Sequence, residues 1–154
     1  MSGSQANLLS LDTTYPAVAE SVGQARRAVA TLARLEGAGE QDLERVKLAV
    51  SEAVSNAIIH AYAFEAAREV VLSAAVIDGE LTVVVADDGC GFGSAGESQG
   101  LGLGLAVMTQ LCDSLTMSKR ASGGTQLEMR FHLTPAAYLL TERAPQRLHV
   151  GGSA

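Results

Sequence analysis

The chain has 154 residues, 47% apolar and 18% charged, a length and balance that fit one globular domain with a substantial core. A net charge of −6 excludes the basic footprint of a protein that binds nucleic acid directly. No apolar run is long enough to span a membrane, the first ten residues lack a signal-peptide pattern, and Cys90 and Cys112 form no CxxC pair, so a cytoplasmic protein is expected.

In chain order, "NLLSLDTT" predicts a short strand over residues 7–14. Pro16 is expected to open a helix that runs to about Leu35 and is broken by "EGAG". A second helix is expected over residues 40–62. "REVVLSAAVIDGELTVVVADDG" holds two β-branched runs around Asp78-Gly79, a strong hairpin signal. Residues 89–104 then carry seven of the sixteen glycines and lead into a third helix, "LAVMTQLCDSL". "TQLEMRFHL" alternates apolar and polar residues from Thr125 to Leu133, as a strand with one buried face does. Hairpins joined by helices, without repeated βαβ units, predict an α+β fold. The expected form is a two-layer α/β sandwich with a mixed, mostly antiparallel sheet and helices on one face. The domain is expected to occupy residues 1–134, and residues 135–154, with two prolines and a "GGSA" end, to form a partly disordered tail.

Within the second helix, "SEAVSNAIIHAY" places Glu52, Asn56 and His60 at steps of four, along one helix face. An apolar stripe lies opposite, through Leu43, Val46, Val50, Ala53, Val54, Ala57, Ile58 and Ala61. No Lys or Arg stands at i±3 or i±4 of Glu52. On this fragment alone, a pair of ordinary surface residues reads equally well. Asp87 ends a fully apolar strand, where a carboxylate needs a partner. Asp88 can cap the "DDG" corner, which leaves Asp87 to accept a hydrogen bond from an exocyclic amine such as adenine N6. Gly89 and Gly91 let the backbone lie close to a flat base. "GLGLGL" at residues 100–105 precedes a helix, where amide groups and the helix terminus favour an anion. No GxxxxGK[ST] is present, and "GFGSAG" at residues 91–96 fits GxGxxG only formally, because the strand before it belongs to a hairpin.

Together the three motifs resemble the GHKL ATPases, the superfamily of histidine-kinase catalytic domains and type II topoisomerases. "SEAVSNAIIHAY", "DDGCGF" and "GLGLAVMTQLCD" are most similar to the anti-sigma-factor serine/threonine kinases, over roughly residues 10–133. The resemblance implies a Bergerat-type ATP-binding fold with Glu52 acting on the attacking hydroxyl. It implies Asn56 as a ligand of Mg2+ and the phosphates, and Asp87 as the adenine reader with Gly89 and Gly91 beside the base. Gly102, Leu103 and Gly104 match the phosphate-side segment, and Thr125 matches a threonine that helps hold adenine. His60 matches a position often filled by histidine, where packing or helix termination is the expected role. The implied function is a kinase that binds a sigma factor and phosphorylates a small anti-anti-sigma (antagonist) protein, with ATP and Mg2+ as cofactors. A homodimer through the first strand and helix is also implied. Two departures stand out: the lid between Gly91 and Gly102 is short, and residues 69–118 contain no Lys or Arg. They favour a second function, a nucleotide-gated anti-sigma or adaptor module with little phosphoryl transfer.

Overall fold

The computed structural model describes residues 8–61, 68–89 and 101–137, with backbone only at 60, 61 and 101–103. In chain order it contains β1 (Leu9–Pro16), α1 (Glu20–Leu35), α2 (Glu40–Asn56), one π-helical turn (Ala57–Ala61), β2 (Glu69–Ile77) and β3 (Glu80–Ala86). Then come α3 (Leu101–Leu111), β4 (Ser114–Lys119) and β5 (Thr125–His132). The strands form one sheet in the order β1-β2-β3-β5-β4, and all four pairings are antiparallel. The helices cover one face, giving the α+β two-layer arrangement expected from the sequence.

Period-2 patterning builds the sheet. Val70, Leu72, Ala74 and Val76 of β2, Leu81, Val83 and Val85 of β3, and Leu127, Met129 and Phe131 of β5 are all buried on the helix side. Against them α2 turns Val46, Val50, Ala53 and Val54, each fully buried. With so few aromatic residues, small aliphatic side chains let α2 lie close to the sheet. Glu40 and Asp42 stand in the first turn of α2, where negative charge complements the helix dipole. The β2–β3 turn takes positive φ at both Asp78 (49°) and Gly79 (79°), the tight hairpin that Asp-Gly signals.

Three expectations are corrected. Pro16 ends β1 instead of opening a helix, and α1 begins at Glu20. The strand tolerates proline because β1 is an edge and the missing N–H removes no inner ladder bond. The second helix changes at Ala57 into a wider π turn one residue past Asn56. The third helix starts at Leu101, inside the glycine cluster, and stops at Leu111; Ser114 and Leu115 belong to β4, which the sequence reading missed. On β4 only Leu115 is half-buried, so no alternation marks it. At the far end, Ala38 bridges Pro135, and Ala136 N–H donates to Gly37 O at 2.8 Å. Residues 138–154, and with them most of the predicted tail, lie outside the described residues.

Candidate functional site: two polar clusters

The first end is built where α2 meets α3. Asn56 is buried at 5% exposure and Glu52, one turn earlier, is half-buried. Among the described residues, Glu52 has no ion pair or hydrogen bond, and Asn56 Nδ2 is a buried donor with no acceptor. A buried unpaired donor costs about 1–3 kcal/mol. Gly104 of α3 closes over both: a Cβ placed there would lie 3.2 Å from Asn56 Nδ2, 3.3 Å from Glu52 Oε2 and 3.4 Å from Asn56 Oδ1. Glycine at 104 therefore lets the α3 backbone approach the acid–amide pair at close range. Gly102 and Leu103 lie in the first turn of the same helix.

The second end lies where β3 runs out. Asp87 is 3% exposed, and its backbone N–H continues the sheet by donating to Thr125 O at 2.9 Å. Its Oδ1 accepts from Gly89 N–H at 3.0 Å and from Thr125 N–H at 3.4 Å. No described donor reaches Oδ2, so one carboxylate oxygen is held by the protein and the other is left over. Burial pushes the Asp87 pKa above its ordinary value, against the opposing pull of the Gly89 and Thr125 N–H groups. Thr125 is itself 2% exposed.

The cap of the "DDG" corner differs from expectation. Asp87, not Asp88, accepts from the amide two residues on, as turn aspartates do. Asp88 faces the β4–β5 turn, where Oδ1 takes the Arg120 Nη1 ion pair at 2.8 Å and the Ser122 hydroxyl at 2.7 Å. Arg120 Nη1 also donates to Asp87 O at 3.4 Å. Gly124 presses on that same carbonyl so closely that any Cβ would fall on it. The sequence reading named neither Gly124 nor Arg120. In the sequence, "SGG" at residues 122–124 carries only the composition of a turn before β5.

The structure thus brings together Glu52, Asn56 and Gly104 at one end, and Asp87, Gly89 and Thr125 at the other. Gly91, Cys90 and the short lid lie outside the described residues, as does the side chain of His60. Among the described residues no cluster of His, Cys, Asp or Glu forms a metal cage, so a hard cation at the first end would rest on amide oxygen and ligand. No described helix is long and apolar enough to cross a membrane.

Residues 15–131 match the model of the histidine kinase-like ATPase domain, which embraces both clusters. An anti-sigma F factor of Clostridium perfringens is 34% identical over 128 residues, 75% of this chain and 91% of that protein. A serine-protein kinase RsbW of Bacillus velezensis is 32% identical over 138 residues, 80% of this chain and 85% of the relative. The crystal structure of the RsbU and RsbW domains of a Mycobacterium tuberculosis protein superposes with a TM-score of 0.65 at 26% identity. That superposition takes in 83% of this chain and 34% of the longer one. The chain therefore belongs to the histidine kinase-like ATPase family, among the relatives of the anti-sigma F factors and serine-protein kinase RsbW.

Proposed function

We propose that this chain is an ATP-dependent serine/threonine protein kinase of the anti-sigma type, which binds a sigma factor and phosphorylates a small antagonist protein. The observation that carries the proposal is the pairing of Glu52 and buried Asn56 beneath Gly104, with the Asn56 Nδ2 donor unsatisfied. A phosphate oxygen is the acceptor that this donor lacks. The orphaned amide fits a Mg·phosphate group: Asn56 Oδ1 is a hard, uncharged ligand, and Nδ2 beside it suits an anion. Bound Mg2+ would supply charge neutralisation at the phosphates. The spare Asp87 Oδ2 suits the N6 amine of adenine, with Gly89 and Thr125 framing the carboxylate.

Transfer needs one bond made and one broken. The antagonist's hydroxyl oxygen bonds to the γ-phosphorus as the bridging P–O bond to ADP breaks, and Glu52 takes the hydroxyl proton. Beside Glu52 the outer face of α2 opens into a groove of about 970 Å³, lined among others by Arg26, Arg27, Lys47, Leu48 and Ser51. Leu48 stands one turn before Glu52 and is exposed, and Arg26 and Arg27 have no ion pair among the described residues. The lining also holds Arg45, Glu40 and Glu44, with Lys47 paired to Glu44 at 3.0 Å, so four cations face two acids and the groove suits an antagonist that offers acidic residues around an apolar one. Among the described residues β1 is an edge strand, through which a second copy is proposed to pair, which sedimentation would measure.

The test is label transfer. The purified chain is incubated with γ-labelled Mg·ATP and a lysate lacking it, and labelled proteins are identified by mass spectrometry. Label is expected on serine or threonine of one small protein, and Glu52→Ala should slow its appearance about 10²–10⁴-fold. Mg·ATP binding with retained partners and no label would defeat the kinase and leave the nucleotide-gated binding module.

A further inference from the structure

We propose that Arg45 is a positioning residue for the phosphate end of the site: its guanidinium clasps the C-terminus of α3 and thereby sets where Gly104, near the N-terminus of that helix, lies against Glu52 and Asn56. The inference rests on the ATP-binding reading above. α3 needs such a clasp. Its eleven residues, "LGLGLAVMTQL", include no charged side chain to anchor it, and two glycines weaken its first turns. Its last carbonyls, like those of any helix, lack partners within the helix. Cys112 N–H serves Met108 O at 2.9 Å, and Arg45 Nη1 serves Leu111 O at 2.9 Å. Among the described residues, that Arg45 bond is the one side-chain hydrogen bond that reaches α3 from another element.

The same guanidinium is braced within α2 and also reaches β5 and the turn after α3. Nη2 binds Asp42 Oδ1 of α2 at 2.8 Å and His132 O at the end of β5 at 3.1 Å, while Nη1 lies 3.5 Å from Asp113 Oδ2 beyond α3. The acids are held in turn: Asp42 Oδ2 accepts Thr134 N–H at 2.6 Å, and Asp113 Oδ2 accepts His132 N–H at 2.7 Å. The guanidinium also stacks 5.7 Å from the centre of the Phe131 ring. A planar fork of donors can hold two carbonyls and two carboxylates at once, and a lysine cannot. The positive charge also complements the negative end of the α3 dipole.

The clasp matters because the other end of α3 has no slack. Gly104 lies about 10 Å along the helix from Leu111. Its α-carbon side faces Asn56 and Glu52 with room for no more than hydrogen, since a Cβ would already touch at 3.2–3.4 Å. Between the two ends Met108 is fully buried and acts as the pivot. Loss of the clasp lets α3 tilt about Met108, which moves the phosphate-side glycines and leaves the Asp87 corner, built on β3 and β5, in place.

Calorimetry of Mg·ATP and of adenosine on the full chain separates these ends. Arg45→Met should weaken Mg·ATP about tenfold or more and leave adenosine within about twofold, the loss of a charge-assisted bond at one end only. Arg45→Lys keeps a cation for Asp42, preserves folding if methionine does not, and should show the same selective loss. In the nucleotide-free variant the amides of residues 104–111 should exchange faster than in wild type, while those of β3 do not. Equal losses for ATP and adenosine, or no loss in either, would overturn the positioning role. Wild type that binds adenosine but gains nothing from the phosphates of Mg·ATP would overturn the parent reading as well, which makes the two failures distinguishable.

Discussion

The two ends of the proposed site are finished to different degrees. At the base end, Asp87 is tied by Gly89 and Thr125, its carbonyl is pressed by Gly124, and its neighbour Asp88 is locked to Arg120 and Ser122. At the phosphate end, Glu52 and Asn56 have no described partner, although Asn56 is as deeply buried as many core residues. On the proposed reading, the Asp87 cluster is a preformed base reader at the end of the sheet. The proposed phosphate end is an incomplete polar pair packed against the backbone of a small helix, and a ligand would complete it. Pre-organisation where recognition occurs, and unmet hydrogen bonds where charge must be received, is a division of labour that suits a nucleotide site.

That comparison can be broken first at Glu52. If Glu52 accepts the proton, Glu52→Ala should slow transfer to the partner about 10²–10⁴-fold while ATP affinity stays within about tenfold, as a positioned base implies. Single-turnover label transfer measures it, and a wild-type rate in the variant would remove Glu52 from the chemistry. Next is Gly124, which supports the finished end. A Cβ there collides with backbone that a strand ladder holds fixed, so Gly124→Ala should cost about 3 kcal/mol of stability, the upper range for overpacking. Chemical denaturation would read it directly. Gly104→Ala is the contrasting case. Alanine is the better helix former by about 1 kcal/mol, which offsets much of the cost of its methyl crowding Glu52 and Asn56, so the melting temperature should fall far less than for Gly124→Ala. Mg·ATP binding should weaken by about 1–3 kcal/mol in calorimetry, the usual size of such crowding. A Gly104→Ala protein that is destabilised as much as Gly124→Ala and binds normally would reverse the comparison.

The smallest expected effect is on acid behaviour, and the two regions carry opposite signs. Asp87 has a raised pKa in the folded chain, so its charged form disfavours folding. Its contribution is fully present below the ordinary value of 3.8 and is lost as pH rises through the folded value. Asp113, in the Arg45 clasp, is lowered by the His132 N–H bond and by Arg45. Its contribution is present above 3.8 and is lost as pH falls through the lower folded value. Thermal melts of the nucleotide-free chain should therefore show Asp87→Asn removing the loss on the alkaline side of 3.8. Asp113→Asn should remove the loss on the acid side. Because Asp113 is partly exposed, its share is small.

Much of this was legible in the sequence, for reasons that can be located. Glu52 and Asn56 stood out because a four-residue step put them on one helix face without a counter-charge, and the hairpin was read from Asp78-Gly79. Asp87 stood out because it ended an apolar run. Thr125 came from family likeness and strand phase together. What was missed depends on the third dimension. β4 carries almost no burial pattern, because it is an exposed edge strand whose neighbour supplies the order. Gly124 is indistinguishable from Gly123 by composition, yet Gly123 has open space around it at φ +98° and Gly124 has none. Arg45 reads as a helix-surface arginine, since three of its partners lie 66–87 residues away in sequence.

The central claim, that one pocket reads adenine at Asp87 and receives Mg·phosphate at Asn56, is tested most directly by one calorimetric matrix. Wild type, Asp87→Asn and Asn56→Ala are each titrated with adenosine, and with ATP in the presence and absence of Mg2+. Asp87→Asn should weaken adenosine and ATP alike, by about 1–3 kcal/mol for a spoiled buried polar contact. Asn56→Ala should leave adenosine unchanged and remove most of the affinity that Mg2+ adds to ATP. A wild type without measurable ATP binding, or an Asn56→Ala chain that loses adenosine as severely as Mg·ATP, would contradict that claim.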